Sequence, residues 1–295
     1  MASRSERRRG GGLVPLLVLA VFLGEVMVLG ERRAAARGPR PQEVVAAVTA
    51  AYGTTGTLAV AVAKQQQPLA GQPLRAFEAR RLRAGAGSAD NGEAADRPIP
   101  TASMVKLFMA EDILHRARAG ELGLTTDDMW RLREMIRSSD DPAASALWVR
   151  FGGDTMVVDV AARYGLTGTA PPPIPGQWGQ ATTTARDLAR FLSLLPVVGH
   201  PDDAAALLGW MREATPRAAD GFDQQFGIFG TAPSHTPVKQ GWMCCVDGNR
   251  HLHSVGVIGH RVVVLLSEVP RSVGYETVRG ALNAAAAAVP PPRAP

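Results

Sequence analysis

Cysteine and lysine are scarce in this sequence, and each scarcity removes a class of explanation. Only two of the 295 residues are cysteine, the neighbours Cys244 and Cys245. Neighbouring cysteines supply neither a C-x-x-C redox pair nor the ligand spacing of a zinc site. Adjacent residues of a strand point to opposite faces, so these two are expected to be small apolar side chains near a strand end rather than a disulfide. No G-x-S-x-G and no H-E-x-x-H occurs, and none of the six histidines sits in a triad signature. Elbow-type serine hydrolases and helix-borne zinc peptidases are therefore set aside. His251 and His253 share one strand face, but two histidines make a weak ligand set. A core or solvated role is expected for them, with no metal and no cofactor.

Basic charge is also missing from most of the chain, although the formal net charge is +5. Residues 1–40 hold eight arginines against three glutamates, and the remaining 255 residues balance at 24 basic and 24 acidic. The surplus belongs to the leader, so no nucleic-acid partner is expected. That leader runs from a basic start, Arg7-Arg8-Arg9, into an apolar stretch from Leu13 to Gly30. Such an arrangement is export chemistry. Glu25 within the stretch is costly at mid-membrane, and Ala34-Ala35-Ala36 offers a cleavage site. A removed signal peptide and an uncleaved anchor touching the membrane through residues 13–30 both remain open. Either places the domain outside the cytoplasm, secreted or membrane-anchored.

Beyond a linker at Pro39-Arg40-Pro41, one domain is expected over residues 41–290, followed by a disordered tail at 291–295. Thr57–Ala63 reads as a strand with Leu74–Glu78 as a possible partner, and Ala84–Pro98 reads as a loop. Helices fit Glu43–Ala51, Ser103–Ala119, Thr126–Arg137, Pro142–Phe151, Thr155–Tyr164, Thr184–Leu195 and Asp202–Glu213. Three strands then follow, Thr236–Met243, His251–Ile258 and Arg261–Glu268, before a last helix, Gly274–Ala288. The order predicts an α+β fold: an antiparallel sheet built from both chain ends, flanked by helices, with an all-helical lobe inserted.

Three short segments carry the chemistry. Ser103-Met104-Val105-Lys106 stands at a predicted helix start, where residues three apart share a face and the helix N-terminus favours a developing alkoxide. Ser139-Asp140-Asp141 lies between two helices, and Lys239-Gln240-Gly241 lies on the first strand of the terminal trio. Lysine usage singles out the same places. Of 32 basic residues only three are lysine, Lys64, Lys106 and Lys239. Arginine is essentially never deprotonated, whereas a desolvated lysine can lose its proton. A chain so biased toward arginine keeps lysine where arginine fails.

Order and context together resemble the S-x-x-K, S-D-N and K-T-G triplet of class A β-lactamases and penicillin-binding proteins. The likeness runs from about Pro41 to Val289. It implies a β-lactamase/transpeptidase-like fold and an acyl-enzyme on Ser103, with Lys106 as base, Ser139 as proton relay and Lys239 as a source of positive potential. The backbone N–H groups of Ser103 and Trp242 would form the oxyanion hole, and Asp141, Gln240 and Gly241 would line the substrate site. The substrate expected is a small molecule or peptide with an amide or ester bond, peptidoglycan among the candidates.

The pattern also departs from the family. No Asp or Glu occurs from Val160 through Arg186, where class A enzymes carry the glutamate that activates the deacylating water, so poor β-lactam turnover is expected. Asp141 replaces an asparagine, and its charge near Lys106 would favour the protonated amine. Gln240 replaces a hydroxyl residue. Ser139 follows Ser103 by only 36 positions, which implies a trimmed helical lobe. Three readings stay in play: a serine hydrolase, a catalytically degenerate binding domain for cell-wall or protein ligands, and a true β-lactamase. Trp178 either lines the site or packs its loop.

Overall fold

A computed structural model describes residues 39–67 and 87–291. The leader, the expected partner strand at 74–78 and the tail from 292 lie outside the described residues.

Alternation along two strands explains the layering. The helix α1 (Pro41–Tyr52) precedes β1 (Thr57–Lys64), a nearly continuous buried run. Ala59, Ala61 and Ala63 turn to one face of the sheet and Leu58, Val60 and Val62 to the other. The strand β7 (Arg261–Pro270) behaves alike, with Val262, Val264 and Leu266 on the first face and Val263 and Leu265 on the second. Both faces must therefore be covered by other elements.

Between these strands come β2 (Ala89–Asp90), α2 (Glu93–Asp96), β3 (Ile99–Pro100) and a 3₁₀ turn at Ala102–Met104. The expected loop over residues 84–98 thus contains short regular pieces. Then follow α3 (Val105–Arg118), α4 (Thr126–Arg137), α5 (Asp141–Phe151), α6 (Asp154–Tyr164), β4 (Thr182–Thr183), α7 (Ala185–Val198) and α8 (Pro201–Arg212). After α9 (Ile228–Thr231) come β5 (Val238–Val246), β6 (Asn249–Ile258), β7 and α10 (Tyr275–Ala287). The antiparallel sheet has the order β2-β1-β7-β6-β5, and β3 pairs with β4 in a separate ladder. The α+β architecture expected from the sequence is the one observed. One face of the sheet packs on α1 and α10, the other on the helical lobe centred on α3.

The helix α3 is buried continuously from Val105 to Leu114, charged residues included. Arg163 closes on Glu111 and bonds Asp112 at 2.9 Å, while Tyr164 Oη donates to Glu111 at 2.9 Å. No helix among the described residues is long and apolar enough to cross a membrane.

At the end of β5, Cys244 and Cys245 form a disulfide across a cis peptide bond. This corrects the expectation of two unlinked apolar side chains. The strand loses its regular register between Cys244 and Val246, so the alternation that separates neighbouring side chains does not hold there. Both cysteines are exposed. His251 and His253 are buried, as core residues should be. His251 Nε2 meets Glu268 at 3.0 Å, and His253 Nε2 donates to the Pro100 carbonyl at 2.9 Å. Burial lowers the His253 imidazole to about 3, so it is neutral.

The Glu111 carboxyl is raised to about 7, burial outweighing the nearby Arg163 charge. The folded chain therefore keeps this proton up to about pH 7, the unfolded chain only to about 4.5. Its contribution is complete below the unfolded value and is lost as pH rises through the folded one. We expect unfolding free energy to fall by roughly 3 kcal/mol across this window and Glu111→Gln to flatten that slope in denaturant titrations. Parallel pH curves for both proteins would contradict the assignment.

Candidate active site

Each of the three motif segments is held by a local device. The chain reaches Ser103 through β3: Thr101 N–H donates to the Ala181 carbonyl at 2.7 Å, and His253 fixes Pro100. Ala102 then adopts φ 46°, and the 3₁₀ turn presents Ser103 at the start of α3. Asp140 caps α5 by accepting from Ala143 N–H at 2.8 Å, and Pro142 suits the first turn. That cap leaves Ser139 just outside the helix, at φ 54°, and makes Asp141 its first residue. Left-handed backbone at two non-glycine residues costs on the order of 1–2 kcal/mol each and is held by its surroundings. Gly241 suits the close approach of β5 to Ser103: a Cβ there would stand a tight 3.2 Å from Ser103 N and 3.3 Å from Met104 Cε, so the neighbours would have to give by a few tenths of an ångström.

Two buried lysines converge on one hydroxyl. Lys106, fully buried, reaches Ser139 Oγ at 3.2 Å, donates to the Ser139 carbonyl at 2.7 Å and meets Asp141 Oδ1 at 2.5 Å. Lys239, equally hidden, lies 2.9 Å from the same Ser139 Oγ and 2.7 Å from the Gln240 carbonyl. Burial lowers both amines. Lys239 falls well below the ordinary lysine range because the charge of Lys106 adds to its desolvation. Burial lowers Lys106 too, but Asp141, Asp140 and Asp220 act against the shift. Carboxylates thus favour the charged form of Lys106, whereas burial and the neighbouring cation disfavour that of Lys239. Ser103 Oγ, on a residue only 5% exposed, has no hydrogen-bond partner among the described residues. Ser103 lines a cleft of about 230 Å³ with Ala102, Asp141, Trp178, Trp242 and Met243.

Of the residues expected at the site, Ser103, Lys106, Ser139, Lys239, Asp141, Gly241 and Trp242 come together. Gln240 does not face the cleft. Its amide donates to the carbonyls of Phe226 at 2.5 Å and Gln224 at 3.3 Å and accepts from Ser254 Oγ at 2.9 Å, behind the strand. Strand alternation puts it opposite Lys239 and Gly241. The sequence left Trp178 undecided; its ring lies 4.9 Å from Lys106 Nζ, and its Nε1 donates to Ser145 Oγ at 3.2 Å. Asp220 went unnoticed in the sequence. It accepts from Trp242 Nε1 at 3.2 Å, and only the folding of the 213–227 segment against β5 brings it there.

The fold with this arrangement at its centre is that of the class A β-lactamases. A β-lactamase from Chitinophaga pinensis superposes with a TM-score of 0.61 at 14% identity, covering 83% of this chain and 97% of that one. One from Xanthomonas campestris pv. campestris gives 0.59 at 19% identity, covering 83% and 96%. In sequence, the chain is similar to the "Putative lipoprotein LppW" of Mycobacterium tuberculosis and of Mycobacterium bovis. Identity is 39% over 193 residues, 63% of this chain and 61% of those relatives. The chain thus matches less than two thirds of their length. No protein-family profile matches it.

Restoring a hydroxyl at the third motif tests the orientation of Gln240. Gln240→Thr strips partners from Gln224, Phe226 and Ser254 and should cost about 2 kcal/mol of unfolding free energy. Urea unfolding checks this, and an unchanged midpoint would mean that the buried network does not hold.

Proposed function

We propose that the chain is an extracytoplasmic serine hydrolase that forms an acyl-enzyme on Ser103. The observation that carries this reading is the convergence of Lys106 and Lys239 on Ser139 beside an unpartnered, cleft-lining Ser103 hydroxyl. A hydroxyl can donate to one neighbour while accepting from another. In this reading Lys106 rests charged and Lys239 neutral; both amines contact Ser139 Oγ, whose hydroxyl can accept from Lys106 and turn its own proton to Lys239. A proton moved along this line leaves Lys106 neutral and Lys239 charged, and Lys106 then takes the Ser103 proton as Oγ attacks a carbonyl carbon. The Ser103 and Trp242 N–H groups receive the oxyanion. Collapse of the tetrahedral adduct expels the leaving amine or alcohol, which collects its proton through Ser139. The contact from Lys106 to Ser103 forms on substrate binding, as catalytic hydrogen bonds often do.

A second reading, a binding domain without chemistry, is favoured by one feature: Lys106 is held by Asp141 and makes no bond to Ser103. True β-lactamase turnover is the least supported reading, since residues 160–186 lack a carboxylate for deacylation. The relatives named as lipoproteins support a place outside the cytoplasm. If the leader is uncleaved, the apolar run at 13–30 would supply membrane contact.

Intact-mass spectrometry after exposure to a fluorescent penicillin should show one stable adduct. It should be absent in Ser103→Ala and form about 100-fold more slowly in Lys106→Ala, with no sustained nitrocefin turnover. An adduct that persists in Ser103→Ala would rule out the proposed nucleophile. No adduct with any penicillin or activated ester would favour the binding domain.

A further inference from the structure

The domain that holds the cleft is balanced in formal charge, and among the described residues that line the cleft the one charged side chain is Asp141. Lys106 and Lys239 lie beneath the surface, fully buried. Asp141 is different: its side chain is 57% exposed. Lys106 engages only Oδ1, and Oδ2 has no partner among the described residues. A carboxylate accepts hydrogen bonds and donates none, so its open oxygen suits an N–H donor or a cation.

The walls point the same way. Trp178 lines the cleft and already faces an ammonium, that of Lys106, 4.9 Å from its ring. Trp242, another lining residue, holds Asp220 at 3.2 Å, and the exposed Asp220 adds to the negative field felt at Lys106. Indole faces with adjacent carboxylates are the chemistry that selects alkylammonium groups over neutral isosteres. The unpartnered Ser103 hydroxyl, lining the same cleft, is the atom that a molecule held there would face.

We propose that Asp141 is a specificity-determining residue and that the cleft takes a substrate bearing a positively charged amine near its scissile bond, seated on Asp141 between Trp178 and Trp242. The identity of the bond cleaved rests on the serine hydrolase reading; the preference for a cation does not.

Two experiments on the full chain test it separately. In the first, n-butylammonium is titrated while the indole N–H resonances of Trp178 and Trp242 are followed by NMR. Saturable shifts are expected, weakened about tenfold by Asp141→Asn and also reduced by Asp220→Asn, at an exposed position. No saturable shift, or equal affinity in wild type and Asp141→Asn, would overturn the proposal. In the second, kcat/KM is compared for 4-nitrophenyl esters ending in trimethylammonium, tert-butyl or carboxylate. The first two share a shape and differ in charge. Wild type should favour the cationic ester over its neutral isostere about tenfold, with the carboxylate ester slowest, and Asp141→Asn should bring the cationic-to-neutral ratio close to one. A ratio unchanged by the substitution, or a preference for the carboxylate, would overturn it. Absence of turnover with all three esters would sink the hydrolase reading, and the ammonium titration would still decide the cation preference.

Discussion

Two lysine amines buried against the same serine hydroxyl each weaken the other's hold on its charge. Desolvation disfavours each cation, and each cation disfavours the other. The site resolves the conflict by asymmetry: Lys106 has a carboxylate, Lys239 has only a backbone carbonyl and Ser139. The rest of the fold serves this arrangement. The Asp140 cap sets Ser139 at the mouth of α5, and the 3₁₀ turn before α3 sets Lys106 one turn beyond Ser103. Gly241 lets β5 approach closely enough to bring Lys239 beside them. A shift in any of the three elements would leave a buried amine unpaired, which is why left-handed backbone at Ala102 and Ser139 is tolerated.

Much of this was legible in the sequence because the signals are local. Helix α4 spans Thr126–Arg137, the range read from the sequence, and α6 ends at Gly165 in a left-handed cap as its glycine suggests. The scarcity of lysine marked two of the three convergent groups. What escaped was set by tertiary geometry. Whether Gln240 faces the cleft depends on which side of β5 meets the lobe, and a neighbouring motif cannot say. The disulfide between Cys244 and Cys245 requires a break in strand register that composition does not announce. Asp220 reaches the site through a loop that carries no motif of its own.

The departure at Asp141 gains meaning from this electrostatic frame. The resemblance alone made it a defect, a charge that would disable a base. In the structure it satisfies Lys106 on one oxygen and leaves the other without a partner among the described residues, in a lining whose other described residues are uncharged. The same carboxylate can therefore fix which lysine is charged at rest and what charge a ligand should carry. The β-lactamase-like fold supplies the framework for this, and a likeness at 14–19% identity speaks to that framework alone.

The central claim is that one of the two buried lysines is neutral near physiological pH. With three lysines in the chain, and Lys64 exposed at the end of β1 as an internal reference, selective isotopic labelling of lysine resolves each side chain by NMR. A pH titration should show one buried lysine losing its proton far below the ordinary value of about 10.4, with its partner shifting again as Asp141 is replaced by asparagine. Lys106 and Lys239 both titrating near that ordinary value would contradict the account, because no neutral amine would then stand ready beside Ser139 and Ser103.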